Sequence, residues 1–128
     1  MLKTKLASPD AIAHGRAVIA QQIKGLQKLE LILGEPFARA VEVVGALKGR
    51  LVVTGMGKSG HVAKKIAATM ASTGTQAYFV HPGEASHGDL GMIGKDDAVL
   101  ALSNSGETSE LSDMIGYCKR FSIPLIAM

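Results

Sequence analysis

The sequence predicts an α/β fold: a parallel sheet between two helical layers, a three-layer sandwich, preceded by two helices. Three observations carry this. From residue 51 onward, short apolar runs alternate with stretches of helical periodicity, the rhythm of βαβ units. The runs are apolar almost throughout, as in strands covered on both faces. Two of the runs lead into Gly- or Ser-rich turns that open helices.

The elements follow in order. Ser8-Pro9 reads as an N-cap followed by proline at the first helical position. Ile12, Ile19, Ile23, Leu26, Leu29 and Leu33 then recur at mostly three- and four-residue spacing, an amphipathic helix closed by Gly34. Pro36 starts a second helix, with Phe37, Ala40, Val41, Val44 and Leu47 on one face and Gly49 at its end. These two helices fall outside the βαβ rhythm and are expected to cover the sheet or to form a dimer interface.

Leu51 to Thr54 is the first strand. Val62, Ala63, Ile66, Ala67 and Met70 describe a helix ending at Gly74, and Gln76 to Val80 is the second strand. A polar loop with Pro82, Gly83 and His87, with room for a short helix, leads to a third strand at Ala98 to Leu102. Leu111, Met114, Ile115 and Cys118 mark another helix, and Ile123 to Ala127 a fourth strand. All 128 residues suit a single domain. Met128 closes a strand at the edge where α/β sheets bind ligands, so the sequence reads as a domain incomplete at its C-terminus.

Composition narrows the function. A formal charge of +3, with the basic residues dispersed and aromatics at 4%, lacks the basic stripe and stacking platforms of a nucleic-acid binder. No apolar run reaches the ~20 residues of a membrane helix, and the first 20 residues hold no signal-peptide core. Cys118 is the only cysteine; it sits on the apolar face of its helix, as core packing, and a single thiol suits a reducing cytoplasm.

Two loops carry the chemistry. Gly55-Met56-Gly57-Lys58-Ser59-Gly60 matches the dinucleotide fingerprint G-x-G-x-x-G. That fingerprint also needs an acid at the end of the second strand, where this sequence has Tyr78-Phe79-Val80-His81-Pro82. A P-loop would need glycine where Val52 stands, inside the strand. What remains is a Gly-rich turn with a lysine at a helix N-terminus, where unpaired amides and the helix dipole favour an anion. One βα unit later, Ser103-Asn104-Ser105-Gly106-Glu107-Thr108 repeats the arrangement. A capping box with Ser105 or Thr108 as N-cap explains one hydroxyl, not three. The loop reads as a phosphate- or hydroxyl-binding segment.

Together, Thr54 to Gly60, Phe79 to Gly91 (with His81-Pro-Gly-Glu-Ala-Ser-His87-Gly) and Leu102 to Glu110 resemble the SIS (sugar isomerase) family, and within it the arabinose 5-phosphate isomerase branch. The resemblance runs from the first helix to Met128. It implies a Rossmann-like or flavodoxin-like sheet and reversible interconversion of D-ribulose 5-phosphate and D-arabinose 5-phosphate, the latter feeding the eight-carbon acid of lipopolysaccharide or capsule. It implies no cofactor and no required metal, with His81 a substrate or adventitious zinc contact. It implies a homo-oligomer, dimer or tetramer, whose sites lie near subunit interfaces.

By position, the resemblance makes Glu110 the catalytic carboxylate, one helical turn after Glu107, which stands second for the role. Lys58 becomes the cation that stabilises developing charge, and His87 the group for ring opening or proton shuttling. Gly74 and Thr75 become a substrate-contact pair, though helix termination alone explains Gly74. Gly55, Gly57, Ser59, Ser103, Asn104, Ser105, Gly106 and Thr108 complete the substrate and phosphate contacts. Further members of the family's site lie beyond residue 128. Two alternatives stay open: a sugar-phosphate sensor module without turnover, and an isomerase of another sugar phosphate.

Overall fold

In a computed structural model, residues 9–128 are described. Ser8, the expected N-cap, lies outside them. The chain divides into two compact units, residues 1–38 and 39–128.

The first unit carries α1 (Pro9–Ile32). Its apolar positions Ile12, Ile19, Ile23 and Leu26, with Leu29 and with Leu33 just beyond its end, are all 48–66% exposed. Gly34 ends the helix and starts the next, since its carbonyl accepts from the amides of Phe37 and Ala38. The next helix, α2 (Glu35–Gly45), stops four residues earlier than the sequence indicates. Its inner positions are also redistributed. Phe37 and Val41 are exposed, while Val43, Val44 and, beyond the helix, Leu47 pack on the core.

In the second unit, β1 (Leu51–Gly55), β2 (Ala77–Val80), β3 (Ala98–Leu102) and β4 (Leu125–Ala127) form a parallel sheet of order β2-β1-β3-β4. The strands alternate with α3 (Gly57–Ser72), α4 (Pro82–Ser86) with a 3-10 turn at Asp89–Met92, and α5 (Ser112–Phe121) preceded by a 3-10 turn at Ser109–Leu111. The period-2 alternation of strand side chains builds two cores. Leu51, Val53, Ala98 and Leu102 meet Ala63 and Ala67 of α3 on one face. Val52, Val80 and Val99 meet Ala85 of α4 and Met114 and Cys118 of α5 on the other. The expected three-layer sandwich is therefore present, and Cys118 is a core residue, 1% exposed. Burial pushes its thiol pKa up.

Among the described residues, two polar side chains are buried, Thr54 and Asp97. Thr54 donates its hydroxyl to the Val80 carbonyl at 2.8 Å, tying β1 to the carboxyl end of β2. Asp97, which the sequence does not single out, fastens the amino ends of the strands. Its carboxylate accepts from the Arg50 amide at 2.6 Å and the Gly94 amide at 2.8 Å, with the Arg50 guanidinium 3.7 Å away. Residue 49 must be glycine here, because a Cβ would collide with the Asp97 carboxylate and the Asp96 carbonyl.

Candidate functional site

Register sets the site. Thr54 pairs with Val80, Gly55 with Leu102 and Ala101 with Ala127, so the strands end level. The loops that begin at Met56, His81 and Ser103 therefore rise from one edge of the sheet, where open α/β sheets bind ligands.

The first loop is a tight entry to α3. Gly57 takes φ +54°, a left-handed conformation costly to other residues. Helix α3 begins at Gly57, earlier than its apolar pattern indicates, with Met56 as N-cap offering no side-chain bond. The Gly60 amide reaches the Met56 carbonyl. The amides of Gly57, Lys58 and Ser59 thus precede the first helical bond, the geometry that receives anions. Gly55 and Gly60 are close-packing glycines. A Cβ on Gly60 would stand 2.6 Å from the Gly55 carbonyl oxygen, and one on Gly55 3.1 Å from the Leu102 carbonyl.

The serine loop is held by its own hydroxyls. Ser103 Oγ shares a hydrogen bond with Thr108 Oγ1 at 2.8 Å and accepts from the Gly106 amide at 3.0 Å. Ser105 Oγ accepts from the Glu107 amide at 3.2 Å. Gly106 turns the chain at φ +72°. Neither Ser105 nor Thr108 caps a helix with its side chain: the loop enters a 3-10 turn, and α5 starts only at Ser112. For the same reason Glu107 and Glu110 are not one helical turn apart, since Glu107 precedes the helical segment. Ser105 keeps its own O–H as a donor, and Asn104 is exposed.

The two loops face each other across a groove of about 660 Å³, lined by Lys58, Ser59, Val62, Leu102, Ser103, Asn104 and Met128. A cationic side chain, two hydroxyls, a carboxamide and free helix-start amides make it suited to an anion with hydroxyl neighbours. Val62, one of the apolar positions whose spacing marks α3, is 51% exposed and forms part of this wall.

Glu110 is exposed, and its carboxyl pKa lies below the ordinary value. Its own backbone amide does most of this, and the Ser109 hydroxyl, 3.0 Å from Oε2, adds to it. It is therefore a carboxylate at neutral pH, able to accept a proton. His81 and His87 bracket α4 as its N-cap and C-cap. Six residues at helical rise set them about 9 Å apart along the axis. His81 Nδ1 accepts from the Gly83 amide at 3.1 Å.

Gly74 and Thr75 are not brought to this edge. They precede β2, at the amino ends of the strands, roughly a strand length (~13 Å) from the groove. There they close α3: the Thr75 amide returns to the Met70 carbonyl at 2.9 Å and the Gly74 amide to Ala71 at 3.4 Å, with Gly74 at φ +103°.

The SIS domain family model matches residues 46–128. Arabinose 5-phosphate isomerase KdsD of Pseudomonas aeruginosa is 55% identical over 119 residues, 93% of this chain and 36% of that protein. KdsD of Escherichia coli K12 is 50% identical over 114 residues, 89% of this chain and 35% of its own length. The chain thus spans about a third of the length of the curated relatives it matches. A solved structure from Escherichia coli CFT073, in complex with arabinose 5-phosphate, superimposes with a TM-score of 0.87 at 39% identity, covering 95% of this chain and 65% of that one.

Proposed function

The chain belongs to the SIS domain family, and from that premise we propose that it forms the substrate-binding part of an aldose–ketose isomerase interconverting D-ribulose 5-phosphate and D-arabinose 5-phosphate. The observation that carries the reading is the groove between Lys58-Ser59 and Ser103-Asn104 at the carboxyl edge of the sheet. The likeness to the KdsD enzymes and to the arabinose 5-phosphate complex supports the choice of sugar phosphate.

The reaction moves one proton between C1 and C2 and one between O1 and O2, through an enediolate. The phosphate sits on the free amides of α3 and the hydroxyls of the serine loop, so that remote binding energy orients the reacting carbons. Gly55 and Gly57 give that loop its close approach, and Gly106 and Thr108 shape the second. Glu110 takes the proton beside the carbonyl as a carboxylate, and the hydrogen bonds that lower its pKa keep it ionised further into the acid range. Glu107, on the same loop, is the second candidate. Lys58 stabilises the developing negative charge on oxygen, and His87 opens the sugar ring or carries the oxygen-bound proton. Gly74 and Thr75 stay outside the site that a single chain forms. The chemistry needs no cofactor.

The assembly we propose is a homo-oligomer, a dimer or tetramer. Its support is the α1 stripe, whose half-exposed Ile and Leu residues form an apolar face longer than isolated surface residues explain. The single buried thiol suits the cytoplasm, and a product feeding lipopolysaccharide or capsule sugar follows from the choice of substrate. Glu110→Gln tests the reading. Turnover of D-arabinose 5-phosphate is lost while its binding, followed by NMR, is retained; wild-type turnover in that variant removes Glu110 from the base role.

A further inference from the structure

We infer that Gly83 is a positioning residue for His81, and that it fixes His81 as a hydrogen-bond donor through Nε2 at the carboxyl edge of β2. The inference deepens the reading above, because it specifies what His81 offers a bound sugar phosphate.

A neutral imidazole carries one N–H, and the other nitrogen can only accept. The Gly83 amide donates to His81 Nδ1 at 3.1 Å. That nitrogen presents its lone pair, so the ring proton is on Nε2. A second observation concerns the space beside the ring. A Cβ on residue 83 would stand 3.2 Å from Nδ1 and 3.3 Å from Cε1 of His81, tighter than ordinary contact. Gly83 is not among the residues with positive φ, so its backbone does not demand glycine. Within α4, alanine would be better by about 1 kcal/mol on helix propensity alone. The missing side chain makes room for the ring. On the strand side, the Phe79 ring meets His81 edge-on, centroids 6.4 Å apart.

The consequence is chemical. His81 is an exposed residue, and an Nε2–H suits an acceptor oxygen, a sugar hydroxyl or carbonyl. A metal ion needs a lone pair on Nε2, which would require the proton to move to Nδ1 and the Gly83 bond to break. His81 is in this account a specificity contact for oxygen and not a zinc ligand.

Long-range ¹H–¹⁵N NMR of the ¹⁵N-labelled chain tests this at about pH 8.5, where imidazole is neutral; His81→Asn assigns the ring. In the wild type, His81 shows a single tautomer protonated at Nε2, and equimolar zinc chloride leaves its shifts unchanged. In Gly83→Ala, the Nδ1–H form rises to a substantial fraction while the methyl signals of Val52 and Met114 stay in place. A wild-type ring protonated at Nδ1, zinc bound at Nε2, or an unchanged single tautomer in a folded Gly83→Ala chain would each overturn the inference. The wild-type spectra decide the tautomer even if the variant does not fold. No turnover is needed, so a wrong tautomer and a wrong enzymatic reading are told apart.

Discussion

Gly60→Ala is the sharpest test of how the site is built. The new Cβ would lie 2.6 Å from the Gly55 carbonyl oxygen, which is backbone and cannot rotate away. Ordinary contact begins at about 3.4 Å, so β1 and the start of α3 must separate by about 0.8 Å, against a close-packed interior. Overpacking of this kind costs about 1–3 kcal/mol. Alanine regains about 1 kcal/mol of helix propensity, which leaves a net loss of about 0–2 kcal/mol. Gly116→Ala in α5 is the control. Nothing lies within 4 Å of its Cβ position and the residue is exposed, so only the propensity gain of about 1 kcal/mol remains. Urea denaturation should therefore separate the two variants by about 1–3 kcal/mol, with Gly60→Ala the less stable and m-values unchanged. The displaced helix start also carries Lys58 and Ser59, so Gly60→Ala weakens sugar-phosphate binding and Gly116→Ala does not. A Gly60→Ala chain as stable as Gly116→Ala would refute the close-approach argument.

Asp97→Ala removes two partly buried hydrogen bonds, from the Arg50 and Gly94 amides to a carboxylate; the loss should be about 1.5–3 kcal/mol by denaturation, with sugar-phosphate affinity little changed in the folded fraction. Ser109→Ala removes a hydrogen bond that favours the charged form of Glu110. The Glu110 pKa then rises, and the acid limb of kcat/KM moves to higher pH; an unmoved limb would show that Ser109 does not tune the base. Ser103→Ala with Ser105→Ala loosens the serine loop and raises KM for D-arabinose 5-phosphate by about tenfold or more, read by steady-state kinetics.

Much of the architecture was legible because its signals are local. The runs at 51–54 and 98–102 are too short and too apolar for anything but buried strands, and both are strands. Leu111, Met114 and Cys118 are spaced as one helix face and are buried together. Gly57 announced its loop, since a glycine between a strand and a helix invites a left-handed turn. The rest depends on distant partners. Asp97 reads as one acid in a polar run; its Gly94 bond is local, but only the paired amino ends of β1 and β3 give it Arg50. Val62 shows the helical period of a core residue, yet its place one turn into α3 leaves it at the groove. The serine loop suggested a capped α-helix, but its hydroxyls bond within the loop, and the helix begins later. Gly74 and Thr75 lie at the amino end of β2, a placement their positions in the sequence do not reveal.

The most direct measurement is conversion of D-arabinose 5-phosphate by the full-length protein in D₂O, followed by NMR. The account predicts D-ribulose 5-phosphate with deuterium at C1, lost on Glu110→Gln. Binding of the sugar phosphate with no ketose formed would contradict it and leave a module that recognises its ligand without turning it over.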